Sequence, residues 1–146
     1  MSVSVSNFVL SDQFGKEVRF ADLAGKKFLL SFHPLAWTPV CTRQMMDLDV
    51  MYDKFIAKGI IPFGVSVDTL YTKKVWGAAM AIQKLQMLAD FWPHGELAKT
   101  VGCFIEKGGQ SGRSHFLVDE SGKIVWSKRN EIHEQPDFKA ILAEMP

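Results

Sequence analysis

Short apolar runs, separated by turn residues and by stretches with helical spacing, organise the chain of 146 residues. "FVLSDQFGKEVRFADL" holds two brief alternating runs on either side of Asp12-Gln13-Phe14-Gly15, the pattern of a β-hairpin. "KKFLLSFHP" is a continuous apolar run, as in a strand buried on both faces. From about residue 39 to 58, Met45, Leu48, Tyr52 and Phe55 recur at helical spacing, and Gly59 stops the helix. "IIPFGVSVD" predicts a second buried strand, followed by a helix over roughly 69 to 84. A short strand in "QMLAD" and a short helix in "HGELAKTVG", ended by Gly102, come next. "EKGGQSG" reads as a flexible loop, "RSHFLVDESGKIVWSK" as a hairpin turning at Asp119 to Gly122, and "PDFKAILAEM" as a closing helix. Buried strands alternating with helices, then a hairpin and a helix, predict an α/β sandwich around a mixed sheet. No repeat, linker or low-complexity tract interrupts the pattern, so residues 1–146 are expected to form one domain.

Composition narrows the classes of function. The chain is 47% hydrophobic and 23% charged, which is globular, and it is long enough to bury a core. With 17 basic and 16 acidic residues it carries no electrostatic footprint for nucleic acid or an anionic membrane. The start, "MSVSVSNFVLSD", lacks a basic segment followed by a long apolar one, so no secretory signal is expected. No apolar stretch approaches the roughly 20 residues of a membrane-spanning helix. Two distant cysteines make neither a disulfide framework nor a zinc site, and reduced thiols in a cytoplasmic protein are the expectation. His94, His115 and His133 lack ligand spacing, so no metal site is expected.

The two thiols must then matter through reactivity or not at all. Thr38 suits a helix N-cap, and Pro39 suits the first helical position, where its missing N–H costs nothing. Cys41 falls at the third helical position, a place that a capping box gives to an acceptor side chain. A thiolate there gains from free backbone N–H groups and the positive end of the helix dipole. An ordinary thiol, with pKa about 8.5, is only a few per cent ionised at neutral pH, and under about 3 kcal/mol of stabilisation makes it mostly thiolate. Residue 44 is Gln, so the second cysteine of a dithiol oxidoreductase is missing. The bland alternative is a small buried hydrophobe.

"FHPLAWTPVC" fills the pattern Pro-x-x-x-Thr-x-x-Cys with Pro34, Thr38 and Cys41, and so resembles the peroxidatic signature of the peroxiredoxins. The likeness covers nearly the whole chain. "FVLSDQFGKEVRFADLAGKK" resembles that family's opening hairpin, "GVSVD" its second core strand, and "GRSHFLVDESGKIVW" the strand pair bearing its active-site arginine, here Arg113. "LADFWPHGELAKTVGCF" resembles the one-cysteine alkyl hydroperoxide reductase E branch. The resemblance implies a thioredoxin-like fold with a central mixed sheet, flanking helices and an N-terminal hairpin extension. It also implies a thiol-dependent peroxidase, needing no metal or organic cofactor, that reduces hydrogen peroxide or organic hydroperoxides. Cys41 would become sulfenic acid, Thr38 would hydrogen-bond the peroxide, Arg113 would stabilise the thiolate and the moving charge, and Pro34 would wall the pocket. A small thiol or a thioredoxin- or glutaredoxin-like protein would recycle the sulfenic acid. A homodimer or a larger assembly is implied as well. Gln44 departs from members with Glu at that place and is given no catalytic role.

Other residues stay open between two readings. Cys103 is either a resolving thiol or a buried residue after a helix. His33 is a base or a hydrogen-bonded structural group, and Arg43 adds positive potential or faces solvent. Met45, Met46, Met51, Met80 and Met87 read as packing. Trp37 and Trp92 form an apolar rim or join the core. Two rivals to the peroxidase remain at this point. One is a peroxide sensor that passes the oxidised state of Cys41 to a partner. The other is an inactive scaffold in which Cys41 is buried and unreactive.

Overall fold

The computed structural model describes residues 3–146. Its opening hairpin pairs β1 (Val9–Ser11) with β2 (Glu17–Arg19) and runs into a 3-10 turn at Phe20–Leu23. The strands β3 (Lys27–Phe32), β4 (Ile60–Ser66) and β5 (Gln86–Ala89) follow, separated by the helices α1 (Pro39–Val50), α2 (Tyr52–Ala57) and α3 (Leu70–Ala79). After α4 (Glu96–Val101) come the two-residue strands β6 (Phe104–Ile105) and β7 (Gln110–Ser111), the long pair β8 (Arg113–Val118) and β9 (Ile124–Asn130), and α5 (Phe138–Glu144). Seven strands form one sheet in the order β2-β1-β5-β4-β3-β8-β9. The three central strands are parallel, as their helical crossovers require, while β1, β8 and β9 join antiparallel.

Alternation along the central strands splits the apolar residues between two faces. Phe28, Leu30 and Phe32 of β3 pack with Phe63, Leu88, Phe116 and Val118, under α4 and the opening hairpin. Leu29 points the other way, to a cluster holding Cys41, Met45 and Leu48 of α1, Phe55 of α2, Trp76 of α3 and Ile141 of α5. Cys103 belongs to the first cluster and Cys41 to the second, on opposite faces of the sheet. The hairpin turns have the chemistry their sequences suggest. Asp12 Oδ1 accepts the amides of Phe14 and Lys16, Asp119 Oδ1 those of Ser121 and Lys123, and Gly15 and Gly122 take positive φ.

Three predicted elements differ from what forms. The helix expected over 39–58 breaks at Met51, where the Asp49 carboxylate accepts the amides of Gln83, Lys84 and Leu85 and ties this end of α1 to the loop ahead of β5. Helix α3 stops at Ala79 rather than near residue 84. Ala81 takes the left-handed conformation, Ala81 N bonds Ala78 O, and Ile82 N bonds Gly77 O, a Schellman stop built without the glycine that would announce it. The segment read as a flexible loop closes instead as a small hairpin, with Phe104 opposite Ser111 and Ile105 opposite Gln110.

Gly64 lies on β4 between Ser31 and Met87, and a Cβ there would run into the Met45 sulfur. Its bareness lets α1, and with it Cys41, lie close to the sheet. Gly64→Ala is expected to destabilise the fold by about 1–3 kcal/mol through overpacking, read as a lower urea midpoint with an unchanged denaturant slope.

Candidate active site

Cys41 occupies the third position of α1, with Thr38 at the N-cap and Pro39 first in the helix. The first amide of the helix to bond back is that of Thr42, to Thr38 O at 2.9 Å; the amides of Val40 and Cys41 precede it, in the free first turn. The Thr38 side chain does not cap the helix. Its hydroxyl donates to Leu35 O at 2.7 Å, which closes the preceding turn and leaves the space over the helix end to the cysteine. Cys41 itself is fully buried.

Arg113, the first residue of β8, reaches across to this helix start. Its Nη1 donates to Cys41 Sγ at 3.3 Å and to Gln44 Oε1 at 2.7 Å. Its Nε and Nη2 both donate to Ile132 O, at 3.0 and 2.6 Å, so the far edge of the guanidinium is fixed by backbone. The group is only 3% exposed, and among the described residues no carboxylate forms an ion pair with it. Gln44, one turn after Cys41, is equally buried and donates through Nε2 to Ser31 Oγ and Phe32 O. Ser31 Oγ lies 3.0 Å from His115 Nδ1, and His115 Nε2 lies 2.9 Å from Asn130 Oδ1. Burial, with the charges of Arg113 and Lys128, holds His115 down at about 4 despite the Asn130 bond, so the ring is neutral. The donations in this row then all run one way. The Nε2–H of His115 goes to Asn130, the Ser31 hydroxyl to His115 Nδ1, the Gln44 amide to Ser31, and the Arg113 guanidinium to Gln44.

A second buried basic side chain packs beside His33, just ahead of the turn into α1. Lys73 of α3 is fully buried, its Nζ 3.4 Å from Nε2 of His33, whose ring packs on Trp76 at 5.2 Å. Pro34 is buried directly after His33, and the next turn is pinned by Ala36 N donating to Asp68 Oδ2 at 2.8 Å.

A buried thiol at a helix start, touched by a guanidinium without a carboxylate, is a nucleophile's environment. Residues 2–127 match the model of the AhpC/TSA family. The chain belongs to that family of peroxiredoxins. It is 30% identical to alkyl hydroperoxide reductase E of Mycobacterium tuberculosis over 138 residues, 94% of this chain and 90% of that one. It is 31% identical over 120 residues to a peroxiredoxin of Pyrococcus furiosus, covering 79% of this chain and 51% of that one. The crystal structure of Enterococcus faecalis AhpC superposes with a TM-score of 0.86 at 25% identity, over 97% of this chain and 89% of the other. The fold is therefore the thioredoxin-like fold of the peroxiredoxins, with the mixed sheet, flanking helices and N-terminal hairpin, and the protein is a thiol peroxidase that reduces peroxides. No helix among the described residues is long and apolar enough to cross a membrane.

Within this peroxiredoxin the predicted site residues Pro34, Thr38, Cys41 and Arg113 converge on the start of α1, while Cys103 lies across the sheet. Cys103 is buried and its thiol is pushed up to about 12 by that burial, with Asp90 adding in the same direction. Arg43 gives its Nε to Gln135 Oε1 at 3.0 Å, away from the thiol. Trp37 and Trp92 are exposed, 54% and 80% accessible, and do not join the core, and Met46 likewise stands at the surface. Sequence reasoning missed Gln44 as the holder of Arg113, weighed His115 only as a metal ligand, and missed Ser31, Asn130 and Lys73 altogether. Polar residues inside the apolar runs "FLLSF" and "SHFLV" were the available signal, since a polar side chain facing a core must find a partner.

The neutral histidine gives a pH dependence. His115 binds its proton near 4 when folded, against an ordinary 6.5, so the unfolded chain protonates first and stability falls as pH drops from about 6.5 to 4. His115→Gln, which takes no proton, is expected to start from a lower stability and to fall less steeply over that window. Urea midpoints at pH 7, 5.5 and 4.5 measure both slopes. Asp90, pushed up to about 6 by burial, works in the opposite direction in both proteins and drops out of the comparison.

Proposed function

We propose that Cys41 is the peroxidatic thiolate, reducing hydrogen peroxide or small organic hydroperoxides, and that an external thiol returns it to the reduced state. The observation that carries this reading is the 3.3 Å contact between Arg113 Nη1 and the sulfur at the third position of α1. The sulfur attacks the terminal peroxide oxygen. An S–O bond forms, the O–O bond breaks, and the departing alkoxide or hydroxide takes a proton and leaves as alcohol or water, with Cys41 now a sulfenic acid. Arg113 holds the sulfur as thiolate and stabilises negative charge spreading along the O–O bond. The Cys41 amide adds a donor at the same place. Thr38, whose hydroxyl proton is given to Leu35 O, offers its oxygen as acceptor to the peroxide O–H. Buried Pro34 keeps water from the sulfur.

Recycling is assigned to a small thiol or a thioredoxin- or glutaredoxin-like protein. A thiolate of the reductant displaces water from the sulfenic acid to give a mixed disulfide, which a second thiol then reduces. The placement of Cys103 on the other face of the sheet, with its proton held tightly, supports a one-cysteine cycle. The exposed Leu35 and Trp37 beside Thr38 offer apolar area that a second copy would cover, which supports a homodimer or larger assembly. The full burial of Cys41 also agrees with an inert scaffold, and reactivity separates the two.

Stopped-flow oxidation followed by tryptophan fluorescence is the test. The expected second-order rate exceeds that of free cysteine by orders of magnitude and disappears in Cys41→Ser; peroxide reduction surviving in that variant overturns the assignment. Arg113→Ala is expected to slow oxidation by about 100-fold or more and to move the acid limb of the pH–rate profile upward. Under excess peroxide and thiol the protein should turn over many times, where a sensor would stop after one oxidation. Cys103→Ser should keep full turnover with an external thiol, and no Cys41–Cys103 disulfide should appear in non-reducing mass spectrometry.

A further inference from the structure

We propose that Asp68 is a positioning residue: its carboxylate fixes the strained turn that presents the Thr38 hydroxyl at the start of α1. This role rests on Cys41 attacking the peroxide and on Thr38 accepting a hydrogen bond from its O–H. Residues 34–38 have little of their own to hold them. Pro34 and Pro39 lack a backbone N–H, so the segment enters and leaves without a donor. The last backbone bond before it runs from His33 N to Val65 O at 3.0 Å, and the next after it from Thr42 N to Thr38 O. Between them Trp37 takes a φ of 73°, a left-handed conformation that a bulky side chain rarely adopts and that lasts only where its surroundings impose it. Leu35, Trp37 and Thr38 are all exposed, so burial of these side chains is not what imposes it.

One hydrogen bond ties this turn to another part of the fold. Apart from the bonds that Thr42 of α1 makes to Thr38 O, residues 34–38 have a single outside partner among the described residues, Asp68, whose Oδ2 accepts Ala36 N at 2.8 Å. Ala36 is 7% exposed, so its amide, once released, has little water to turn to. The other end of the bond is firmly held. Asp68 lies between the end of β4 and the start of α3; Ser66 Oγ donates to the same Oδ2 at 2.6 Å, and Thr69 caps α3 by accepting Thr72 N at 3.2 Å. Leu35 O and the Ala36 N–H belong to one planar trans peptide unit and point opposite ways. The carboxylate that grips the N–H therefore aims the carbonyl, and that carbonyl takes the Thr38 hydroxyl proton at 2.7 Å. With its proton spent inside the turn, the hydroxyl keeps its oxygen free as an acceptor. Released from Asp68, the peptide can rotate, and the hydroxyl with it.

Two reagents for the same sulfur provide the test. In Asp68→Ala the second-order rate of Cys41 oxidation by hydrogen peroxide is expected to fall about tenfold, because a turned hydroxyl misplaces the peroxide. The rate with methyl methanethiosulfonate, which has no O–H to give Thr38, is expected to stay within about twofold, read at Cys41 by mass spectrometry. No slowing with peroxide overturns the proposal. Equal slowing with both reagents also overturns it, since a merely structural loss obstructs every reagent. Asp68→Asn keeps an oxygen that accepts Ala36 N and Ser66 Oγ, and is expected to recover most of the peroxide rate. A loss as deep as in Asp68→Ala would make the charge of Asp68, which also acts on buried Lys73, the feature that matters, and overturns the proposal. In Thr38→Val, already slow, adding Asp68→Ala is expected to cost less than about twofold more, because both changes remove one interaction; a second loss of full size overturns it. Should Asp68→Ala not fold, Ser66→Ala loosens the same carboxylate oxygen and is expected to slow the peroxide reaction alone by about threefold, and an unchanged rate overturns the proposal. A slow Thr38→Val beside a fast Asp68→Ala sinks the role of Asp68 alone. A fast Thr38→Val sinks the assignment of Thr38 and the role of Asp68 with it.

Discussion

The Arg113 guanidinium is buried, with no carboxylate paired to it among the described residues, and much of the surrounding polar structure follows from that constraint. An unpaired cation inside a protein must be given acceptors and, where possible, an anion. Ile132 O answers one edge with two bonds and Gln44 Oε1 answers the other, and both acceptors are neutral. The remaining charge is left for the sulfur of Cys41. A glutamate in place of Gln44 would cancel part of it. The amide holds the guanidinium as firmly and leaves its field intact.

Holding Gln44 is itself a structural task, and it draws in four elements. The amide nitrogen is turned to β3 by Ser31 Oγ and Phe32 O, which aims the amide oxygen at Arg113. Ser31 is held in turn by His115 on β8, and His115 by Asn130 on β9. One consistent direction of donation runs through this row, and it holds only while His115 is neutral. The proposed peroxidatic site therefore depends on a histidine whose own hydrogen bonds go to Ser31 and Asn130.

The sheet sets the other boundary. Cys41 on α1 joins one hydrophobic cluster and Cys103, just after α4, joins the other, and the intervening sheet separates them. This separation is what supports the proposed one-cysteine cycle, with the restoring thiol supplied from outside the chain. The exposed Leu35 and Trp37 beside the helix start lie at the surface where such a thiol would approach.

Local grammar was enough to read the seven strands of the main sheet, the two Asx-headed hairpin turns, the Thr-Pro start of α1 and the glycine stop of α4, because each depends on neighbours a few residues away. The same spacing put Cys41 at the third helical position, and the pattern Pro-x-x-x-Thr-x-x-Cys carried the family. Ala81 in the left-handed conformation and the break at Met51 escaped notice, since no turn residue marks either one. Gln44 was read as a departure from a pattern, His33 stayed open between a base and a hydrogen-bonded structural group, His115 was weighed only as a metal ligand, and Ser31, Asn130 and Lys73 were not read at all. Their roles come from contacts between residues tens of positions apart, and a hydrogen bond or a buried charge is decided by what packing brings within a few ångströms. The sequence by itself determined which thiol stands at a helix start; only the tertiary structure decided which guanidinium edge faces it and which neutral groups hold that edge there.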